Sequence, residues 1–587
     1  MASTDWLIVG LLCLVSLGAG LLFTRRASGH GKVAYFTGDR RLPWWALGLS
    51  NTATYQSGNG AFVMLVLVYG LAGNWLWWAG WIVWMPLVAI VWARLWRHLQ
   101  IVTTAELISL RYGGRPARFA RKAYALVCCF GFSVLLIGYI TGFFAKTIAP
   151  LTPLSTTQIL LIFGSVTVLY TMFGGLAGVV YVDVIQFFVL LAANAAFLAI
   201  AIPRFGGWDA ILSRIEAARP EALAQTPPTS SIEALTVLVL VLQGLFFAGS
   251  PTAGEGMTAQ RFMAARSERH AVGGQLFNAF LALTLRTLPL IGLGTIALSL
   301  FWTSPLTGHS PPSGFTLIAD PAHAWGELVK RCALPLGFAG LLVAAEAAAY
   351  MSTLSSLINW GGSFVVNDLL PETPGNPRRQ IWISRLTTAV LFLLAAIVTV
   401  LYVDNMVSWF LFINSAMVIF LLPLAWFRFF WWRFNVWGEL AAIVLGLPVS
   451  IVVWFVLDFD DPARPVWQGL GLLFALSFVI LVTTTLLTRP ESPEVLRRFY
   501  ERCHPPGFWG PVRGPSSGSG DRTVSARRLL LDAALGIAAC LGLVLATNAV
   551  FVHDSLRASI GTASAVVFGG ALIARLLGSR KSTMEGR

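Results

Sequence analysis

The sequence has 587 residues, of which 56% are hydrophobic and only 12% are charged, and its mean hydropathy is +0.73. This composition excludes a soluble globular protein and predicts a chain that crosses a membrane many times. The net charge of +14 lies in short segments between apolar spans. It therefore indicates membrane topology or contact with anionic lipid heads rather than nucleic-acid binding.

The chain begins with an apolar segment, residues 6–23, that is long enough to span a bilayer. Asp5 precedes it and Arg25 and Arg26 follow it, which reverses the charge order of a secretory signal peptide. We therefore expect an uncleaved helix with its N-terminus outside, followed by a basic cytoplasmic loop. Residues 1–45 form this predicted N-terminal unit.

The second apolar segment, residues 47–71, is interrupted by the polar and small residues of SNTATYQSGNGAF, residues 50–62. A simple membrane anchor needs no such run. Backbone at membrane depth leaves the helical form only where protein buries it or where it lines a wet cavity. One interpretation is a broken helix whose freed carbonyls help to hold a cation. The other is a continuous helix with a small-residue packing face.

About fifteen apolar spans are predicted along the chain. They lie near residues 5–23, 46–71, 73–96, 123–146, 156–173, 179–202, 231–253, 272–302, 333–358, 380–402, 406–428, 436–457, 466–487, 528–550 and 559–577. The long span 272–302 is expected to tilt or to extend beyond the membrane. An odd number of spans with the N-terminus outside places the C-terminus in the cytoplasm, and the basic predicted inner loops agree. We expect a multi-pass protein of the plasma (inner) membrane.

A second polar and glycine-rich interruption, GSPTAGEG at residues 249–256, lies five spans after the first. Two interrupted spans in matching positions of two halves indicate an inverted-repeat secondary transporter. Because each half has an odd number of helices, the halves take opposite orientations. The predicted fold is therefore all-α and polytopic, with a ten-helix, 5+5 inverted-repeat core over residues 46–428.

The ninth span carries a hydroxyl-rich face within AAEAAAYMSTLSSLIN, residues 344–359. Residues that recur at steps of three and four share one face of a helix. Here they are Ala345, Ala348, Ala349, Ser352, Ser355, Ser356 and Asn359. Hydroxyls and backbone carbonyls are hard oxygen donors that suit Na⁺. The alternative is a small-residue helix contact whose hydroxyls bond to the preceding turn.

Five stretches of the sequence are informative together. They are YFTGDRRLPWWALGLSNTATYQSG (35–58), TTAELISLRYG (103–113), GGLAGVVYVDVIQFF (174–188), MTAQRFMAA (257–265) and AAYMSTLSSLIN (348–359). The chain thereby resembles the sodium:solute symporter family, which contains the sodium–glucose, sodium–proline and sodium–sialic acid transporters. The resemblance implies a LeuT-like core, alternating access and Na⁺-coupled uptake of a small organic solute.

The resemblance also implies positions for sodium. The main site would take backbone carbonyls and hydroxyl oxygens from Ala53, Gln56, Ala349, Ser352 and Thr353. Some relatives have a second site, whose positions in this sequence are Asp183, Ser352, Ser355 and Ser356. We therefore expect one sodium ion or two to be transported. An alternative role for Asp183 is a cap or charge at a cytoplasmic helix start.

Solute positions transfer from the family less directly. Ser57, Asn59 and Gly60 are expected to approach the solute, and Met257 takes the aromatic gate position of the sugar carriers. The family's sugar transporters have a longer amide side chain where Gly60 stands, and its proline transporters have an aspartate where Tyr55 stands. Neither specificity is therefore implied.

Two carboxylates, Glu255 and Glu346, fall within the predicted membrane core. Intramembrane carboxylates are costly and functional by default, so both are candidates to bind a cationic solute group or to carry a proton. The alternatives are an ion pair between Glu255 and Arg261, and a protonated Glu346 within a helix contact.

The rest of the chain is predicted to comprise two accessory helices (429–487), a cytoplasmic linker loop (488–527) with an amphipathic start at 495–502, and two further helices with a tail (528–587).

The predicted function is Na⁺-coupled symport. Its alternatives are a proton-coupled carrier that uses Glu255 and Glu346, and a transporter-fold sensor without net transport. We predict no enzyme, because the seven histidines lie without metal spacing in predicted loops. Two unlike breaks in one chain also argue against a channel filter repeated around an axis.

Overall fold

The computed structural model describes residues 1–28, 31–54, 60–225, 234–250, 254–303, 311–370, 376–402, 420–457, 466–512 and 526–578. Within these residues, eleven helical segments are long and apolar enough to cross a membrane. The polytopic, almost entirely helical architecture predicted from the sequence is therefore confirmed.

The longer helices fall into three groups along the chain. The first group comprises α1 (Ser3–Leu22), α2 (Trp44–Thr54), α3 (Gly60–Tyr69), α4 (Ala72–Leu99), α5 (Gly114–Ile148) and α6 (Thr156–Arg204). The second comprises α7 (Ala234–Phe246), α8 (Met257–Ala264), α9 (Glu268–Leu283), α10 (Thr287–Leu300), α11 (Phe338–Leu369) and α12 (Pro377–Tyr402). The third comprises α13 (Val436–Leu457), α14 (Val466–Leu487), α15 (Pro493–Cys503), α16 (Ala526–Phe551) and α17 (Ser555–Gly578).

Shorter elements connect these helices. Short helices are formed by Thr24–Ala27, Lys32–Thr37, Glu106–Arg111, Trp208–Ala218, Ala324–Arg331 and Leu424–Phe430. Strands β1 (Phe301–Thr303) and β2 (Thr316–Ile318) pair in parallel, with Trp302 opposite Leu317.

The eleven long segments and the fifteen predicted spans differ for specific reasons. The two interrupted spans appear as shorter helices, namely α2 and α3 for 46–71 and α7 for 231–253. The spans 156–173 and 179–202 join in the single helical segment α6. The predicted span 406–428 lies mostly outside the described residues, so the predicted number of spans is not confirmed.

α11 is the centre of the core and is buried along nearly its whole length. It packs against α1, α2, α5, α6 and α12. The N-terminal helix is attached to the start of α11, because Oδ1 of the buried Asp5 accepts a hydrogen bond of 2.9 Å from the backbone N–H of Gly340. The additional first helix is thus part of the packed body of the molecule.

The long segment α6 is divided by a kink at Gly175, whose φ is +55°. A Cβ at this position would lie 2.7 Å from the carbonyl oxygen of Tyr35, so only glycine fits both the backbone angle and the contact. The Tyr35 hydroxyl in turn lies 3.3 Å and 3.1 Å from the carbonyl oxygens of Thr171 and Met172, just before the kink. The first and third family-like stretches therefore meet here.

The predicted continuous span 272–302 is wrong in one respect, because the helix stops at Leu283 and resumes at Thr287. Thr284 has non-helical angles, with φ −123° and ψ −91°. The Arg286 side chain is buried at this break and donates a hydrogen bond to the carbonyl of Thr52 in α2. The break therefore places a guanidinium against the end of an interrupted helix.

The third group of helices covers the outside of the core. α13 and α14 pack on each other and reach α5 and α7, while α16 and α17 pair and rest on α4 and α9. α15 is an amphipathic helix at the position predicted for the start of the linker loop, with Leu496, Phe499, Tyr500 and Cys503 buried.

Candidate functional site

The end of α2 meets the middle of α11 in a small group of oxygen atoms. Oγ1 of Thr353 lies 3.0 Å from the carbonyl oxygen of Thr54 and 3.1 Å from that of Ala349. Ser352 is fully buried, and its hydroxyl makes no hydrogen bond of normal geometry to a described residue, although it lies close enough to the carboxylate of Asp183 to interact with it. We term the carbonyls of Thr54 and Ala349 and the hydroxyls of Ser352 and Thr353 the hydroxyl site. The carbonyl that α2 supplies here comes from Thr54, one residue after the predicted ligand Ala53. Gln56, also predicted to bind sodium, lies outside the described residues.

The oxygen atoms of the hydroxyl site fit a small hard cation. A buried hydroxyl without a partner is unfavourable by about 1–3 kcal/mol, which a bound ion would relieve. Hydroxyl and carbonyl oxygens are ligands that sodium accepts, since hard cations prefer oxygen. The Thr353 hydroxyl already joins a carbonyl of α2 to one of α11, so an ion at this place would join the same two helices.

The predicted second sodium site contains a guanidinium. Arg261 of α8 extends between α2, α6 and α11, where its Nη2 lies 3.1 Å from Oδ2 of Asp183 and 2.7 Å from Oγ of Ser356. The same guanidinium donates to Oγ1 of Thr54 at 2.7 Å and to Oγ of Ser50 at 2.9 Å. Arg261 and Asp183 are both fully buried. We term Asp183, Arg261 and Ser356 the arginine site.

The arginine site corrects two alternatives raised by the sequence. Asp183 is no helix cap, because it lies within α6, well past the kink at Gly175, and holds a buried ion pair. Arg261 pairs with Asp183 and not with Glu255. Ser355, the remaining predicted ligand, donates its hydroxyl to the carbonyl of Ser352 at 2.9 Å. This is a bond to the preceding turn of the helix, as in the alternative given above for the hydroxyls of this face. In this conformation, arginine supplies the positive charge beside Asp183.

Glu255, near the end of the second interruption, belongs to a buried cluster of charges. Arg428 bonds to Glu255 and to Glu439 of α13, and all three residues are fully buried. The Tyr124 hydroxyl donates to Oε2 of Glu255 at 2.7 Å, and the Tyr112 hydroxyl donates to Glu439 at 3.1 Å. The cluster therefore ties the second interruption to α5 and to the first accessory helix.

Glu346 lies on α11, one turn before Ala349, and is fully buried. The Arg286 guanidinium is close enough to attract its carboxylate, and the same arginine bonds to the carbonyl of Thr52. Glu346 and Glu255 thus face different arginines on different elements. The structure does not bring them together as the acidic pair considered from the sequence.

The remaining predicted solute positions are only partly visible. Ser57 and Asn59 lie outside the described residues, and Met257 is buried at the start of α8. Gly60 begins α3, and a Cβ there would lie 2.6 Å from the side chain of Thr147 in α5. A longer side chain at Gly60 therefore does not fit unless Thr147 moves. The wall at this position differs from one that carries an amide.

Comparisons with known proteins decide the family. The sequence profile of the sodium:solute symporter family matches residues 35–446. The chain belongs to this family. Its activity is accordingly sodium-coupled symport of a small solute, which confirms the function predicted from the sequence.

Individual relatives of this symporter are distant but match over most of its length. The sodium/mannose cotransporter SLC5A10 of Bos taurus is 26% identical and aligns over 84% of this chain and 88% of its own. The sodium/glucose cotransporter of Vibrio parahaemolyticus is 25% identical, over 82% of this chain and 90% of its own. A solved Na⁺-coupled sialic acid symporter, at 20% identity, superposes with a TM-score of 0.66 over 84% and 99% of the two chains. This likeness supports the predicted LeuT-like, inverted-repeat fold.

Several residues of the symporter core escaped the sequence analysis. Arg286 was counted within an apolar span, although a lone charge at membrane depth is by itself a signal of a special role. Arg428 was taken only as the boundary of the core, and Glu439 as part of an accessory helix. An arginine on one span and a carboxylate on another should have been considered as a pair.

Proposed function

We propose that the hydroxyl site binds the coupling sodium ion and that the transported solute is a small, neutral, hydroxyl-rich molecule. The observation that carries the sodium assignment is the fully buried hydroxyl of Ser352, which makes no hydrogen bond of normal geometry among the described residues and lies beside both Thr353 and Asp183. Thr353 already lies within hydrogen-bond distance of carbonyls from both helices that the ion would join. We further propose one ion per cycle, because Arg261 donates to Oδ2 of Asp183 and to Oγ of Ser356, although Oδ1 of Asp183 has no hydrogen-bond partner among the described residues.

Coupling follows if sodium binds one conformation better than the other, because a ligand shifts only an equilibrium whose states it binds unequally. Sodium in the hydroxyl site would join α2 to α11 in the outward-open state and thereby complete the solute site. Transport would then proceed by alternating access. An inward-moving charge gains roughly 2.3 kcal/mol per 100 mV. A tenfold sodium gradient adds about 1.4 kcal/mol. Together they sustain accumulation of a neutral solute by roughly several hundred-fold.

The charges around the two interruptions favour a neutral solute. Asp183, Glu255 and Glu346 each face an arginine, namely Arg261, Arg428 and Arg286 respectively. A cationic solute would have to compete with a buried guanidinium for any of these carboxylates. The relatives named as mannose, glucose and myo-inositol cotransporters point to the same class of neutral, polyhydroxylated solutes.

The orientation that we propose keeps the N-terminus outside and the C-terminus in the cytoplasm of a plasma (inner) membrane. The transport core is residues 46–428, preceded by the N-terminal unit 1–45. The accessory helices 429–487, the cytoplasmic loop 488–527 and the C-terminal unit 528–587 follow it. The basic character of the predicted inner loops supports this arrangement.

The proposal is tested with the purified full-length protein in proteoliposomes that have an inward sodium gradient and a negative interior. Uptake of radiolabelled mannose, glucose and myo-inositol is measured, with pantothenate as a charged comparison and potassium replacing sodium as the ionic control. We expect accumulation of at least one neutral solute above the external concentration, only with sodium. Equal uptake with potassium would remove the sodium assignment. Solute-induced thermal stabilisation without accumulation would instead identify a sensor.

A further inference from the structure

A cavity of about 480 Å³ lies between the start of α5 and the amphipathic helix α15, away from the interrupted helices. Ser109 to Gly114 and the first turn of α5 form one wall. The other wall is one face of α15, since Val495, Arg498, Phe499 and Arg502 are spaced by three, four and seven residues. Its volume is in the range of small-molecule sites in proteins.

The cavity is strongly basic. Three arginines line it, Arg118, Arg498 and Arg502, and no carboxylate does among the described residues. The acidic side chain of Glu491, beside Gly113, uses one oxygen to accept from the backbone N–H of Gly113 at 3.0 Å and the other to accept from that of Val436 at 3.1 Å. Both of its carboxylate oxygens are therefore already engaged by the backbone.

Two of the three arginines have their donors available. Arg502 donates to the carbonyl of Leu99 at 2.9 Å, which fixes α15 against the end of α4. Arg118 and Arg498 make no hydrogen bond or ion pair with another residue in the described part of the chain. They stand on opposite walls of the cavity, so one ligand between them could accept hydrogen bonds from both guanidinium groups.

The floor of the cavity adds a fourth positive charge, that of Arg111. Tyr112 and Phe499 are almost completely buried, and the Arg111 guanidinium lies 5.3 Å and 5.4 Å from their ring centres. Arg111 is held by the backbone carbonyls of Arg428 and of three residues that follow it. The floor is therefore rigid and apolar, with a cation behind it.

We propose that this cavity binds a phosphate-bearing anion between Arg118 and Arg498. Guanidinium groups on two sides suit the oxygen atoms of a phosphate, to which arginine forms strong, charge-assisted and often bidentate hydrogen bonds. The group is carried either by a soluble phosphate compound or by an anionic lipid headgroup, because the cavity opens on the face that we propose to be cytoplasmic. Occupancy would join α15 to α5 beside the carbonyls that Arg111 holds.

The test compares two double variants of the full-length protein that remove the same charge. R118Q/R498Q removes both guanidinium groups from the cavity. R115Q/R497Q removes the neighbouring arginines of the same two helices, which are exposed as Arg118 and Arg498 are but do not line the cavity. Thermal unfolding is measured in detergent with increasing inorganic phosphate at constant ionic strength. It is then measured in phosphatidylcholine nanodiscs with and without phosphatidylglycerol.

A soluble ligand is indicated if phosphate stabilises the wild type and R115Q/R497Q alike, and the apparent dissociation constant rises at least tenfold in R118Q/R498Q. A lipid headgroup is indicated if only phosphatidylglycerol gives that pattern. The single variants R118Q and R498Q should each give part of the loss, which keeps the test decisive if the double variant unfolds. No stabilisation by either probe, or equal responses of the two double variants, would overturn the proposal.

Discussion

The hydroxyl site and the arginine site lie about one turn apart on the same face of α11, but their buried oxygen atoms are stabilised in different ways. At the hydroxyl site, the ligands are neutral and one hydroxyl, that of Ser352, makes no hydrogen bond of normal geometry among the described residues. At the arginine site, the carboxylate of Asp183 and the hydroxyl of Ser356 are both engaged by Arg261. Neutral oxygens leave a place that a mobile ion can enter and leave. A buried carboxylate needs a permanent counter-charge.

The largest expected effect comes from removing the neutral oxygens. S352A/T353A should abolish sodium stimulation of uptake, because two of the proposed ligands and the contact of Thr353 with Thr54 are lost. The measurement is initial uptake in proteoliposomes against sodium concentration. S363A is the matched control, since the Ser363 hydroxyl is also buried in α11 but bonds only to the carbonyl of Trp360 among the described residues. Unchanged sodium stimulation in S352A/T353A would refute the sodium assignment.

The second prediction concerns the arginine site. R261M leaves Asp183 buried without its ion-pair partner, which should lower the free energy of unfolding by about 3–5 kcal/mol. D183N/R261M removes both charges and should regain most of that loss. Thermal unfolding of the purified variants measures both changes. If R261M and the wild type unfold alike, or if D183N/R261M is no more stable than R261M, the guanidinium is not the permanent counter-charge of Asp183.

The stoichiometry of transport separates the two sites in another way. With one ion at the hydroxyl site, uptake by the wild type should rise hyperbolically with sodium concentration. A second ion at Asp183 would make the curve sigmoidal and would require Arg261 to leave the site during the cycle. Sodium activation curves measured at saturating solute distinguish these outcomes directly.

The spacing of residues along one helix was enough to predict part of this site. Ser352 and Ser356 lie on α11 as the steps of three and four indicated, whereas Thr353 was named only from the family resemblance. The end of α2 meets Thr353 through the carbonyl of Thr54. The arginines could not be placed in that way. Arg261 is 78 residues from Asp183 and Arg428 is 173 residues from Glu255, so only the packing of distant elements brings them together.

The break between α9 and α10 was missed in the sequence. Thr284, Leu285 and Arg286 include neither glycine nor proline, but Pro289 follows in the first turn of α10, and a proline in a helical pattern commonly ends or kinks the helix just before it. The contacts that favour the break are tertiary, since Arg286 bonds to the carbonyl of Thr52 and faces Glu346. The sodium ligands remain a prediction that the uptake experiments above address, and the domain boundaries remain a prediction from the sequence.

A smaller effect is expected from changing Glu255, because its arginine partner, Arg428, also bonds to a second carboxylate. E255Q leaves Arg428 bonded to Glu439, and glutamine keeps an oxygen that can accept from Tyr124. We expect a loss of about 2 kcal/mol in the free energy of unfolding and retained sodium-driven uptake. Uptake measured against pH should keep the same profile in E255Q. A lost pH dependence would show that Glu255 carries a proton and is not only a structural anion.

The smallest expected effect concerns Gly60 in the wall of the solute site, and not the ion sites. G60A brings a Cβ to 2.6 Å from the Thr147 side chain and should lower the free energy of unfolding by about 1 kcal/mol through overpacking. G60A/T147A removes the atoms that clash and should recover that loss, whereas T147A alone should not stabilise the protein. Thermal unfolding of the three variants checks this, and solute affinity is measured alongside. If G60A is as stable as the wild type but has a lower affinity for the solute, Gly60 faces the solute and not α5. The wall of the solute site would then be the other side of α3.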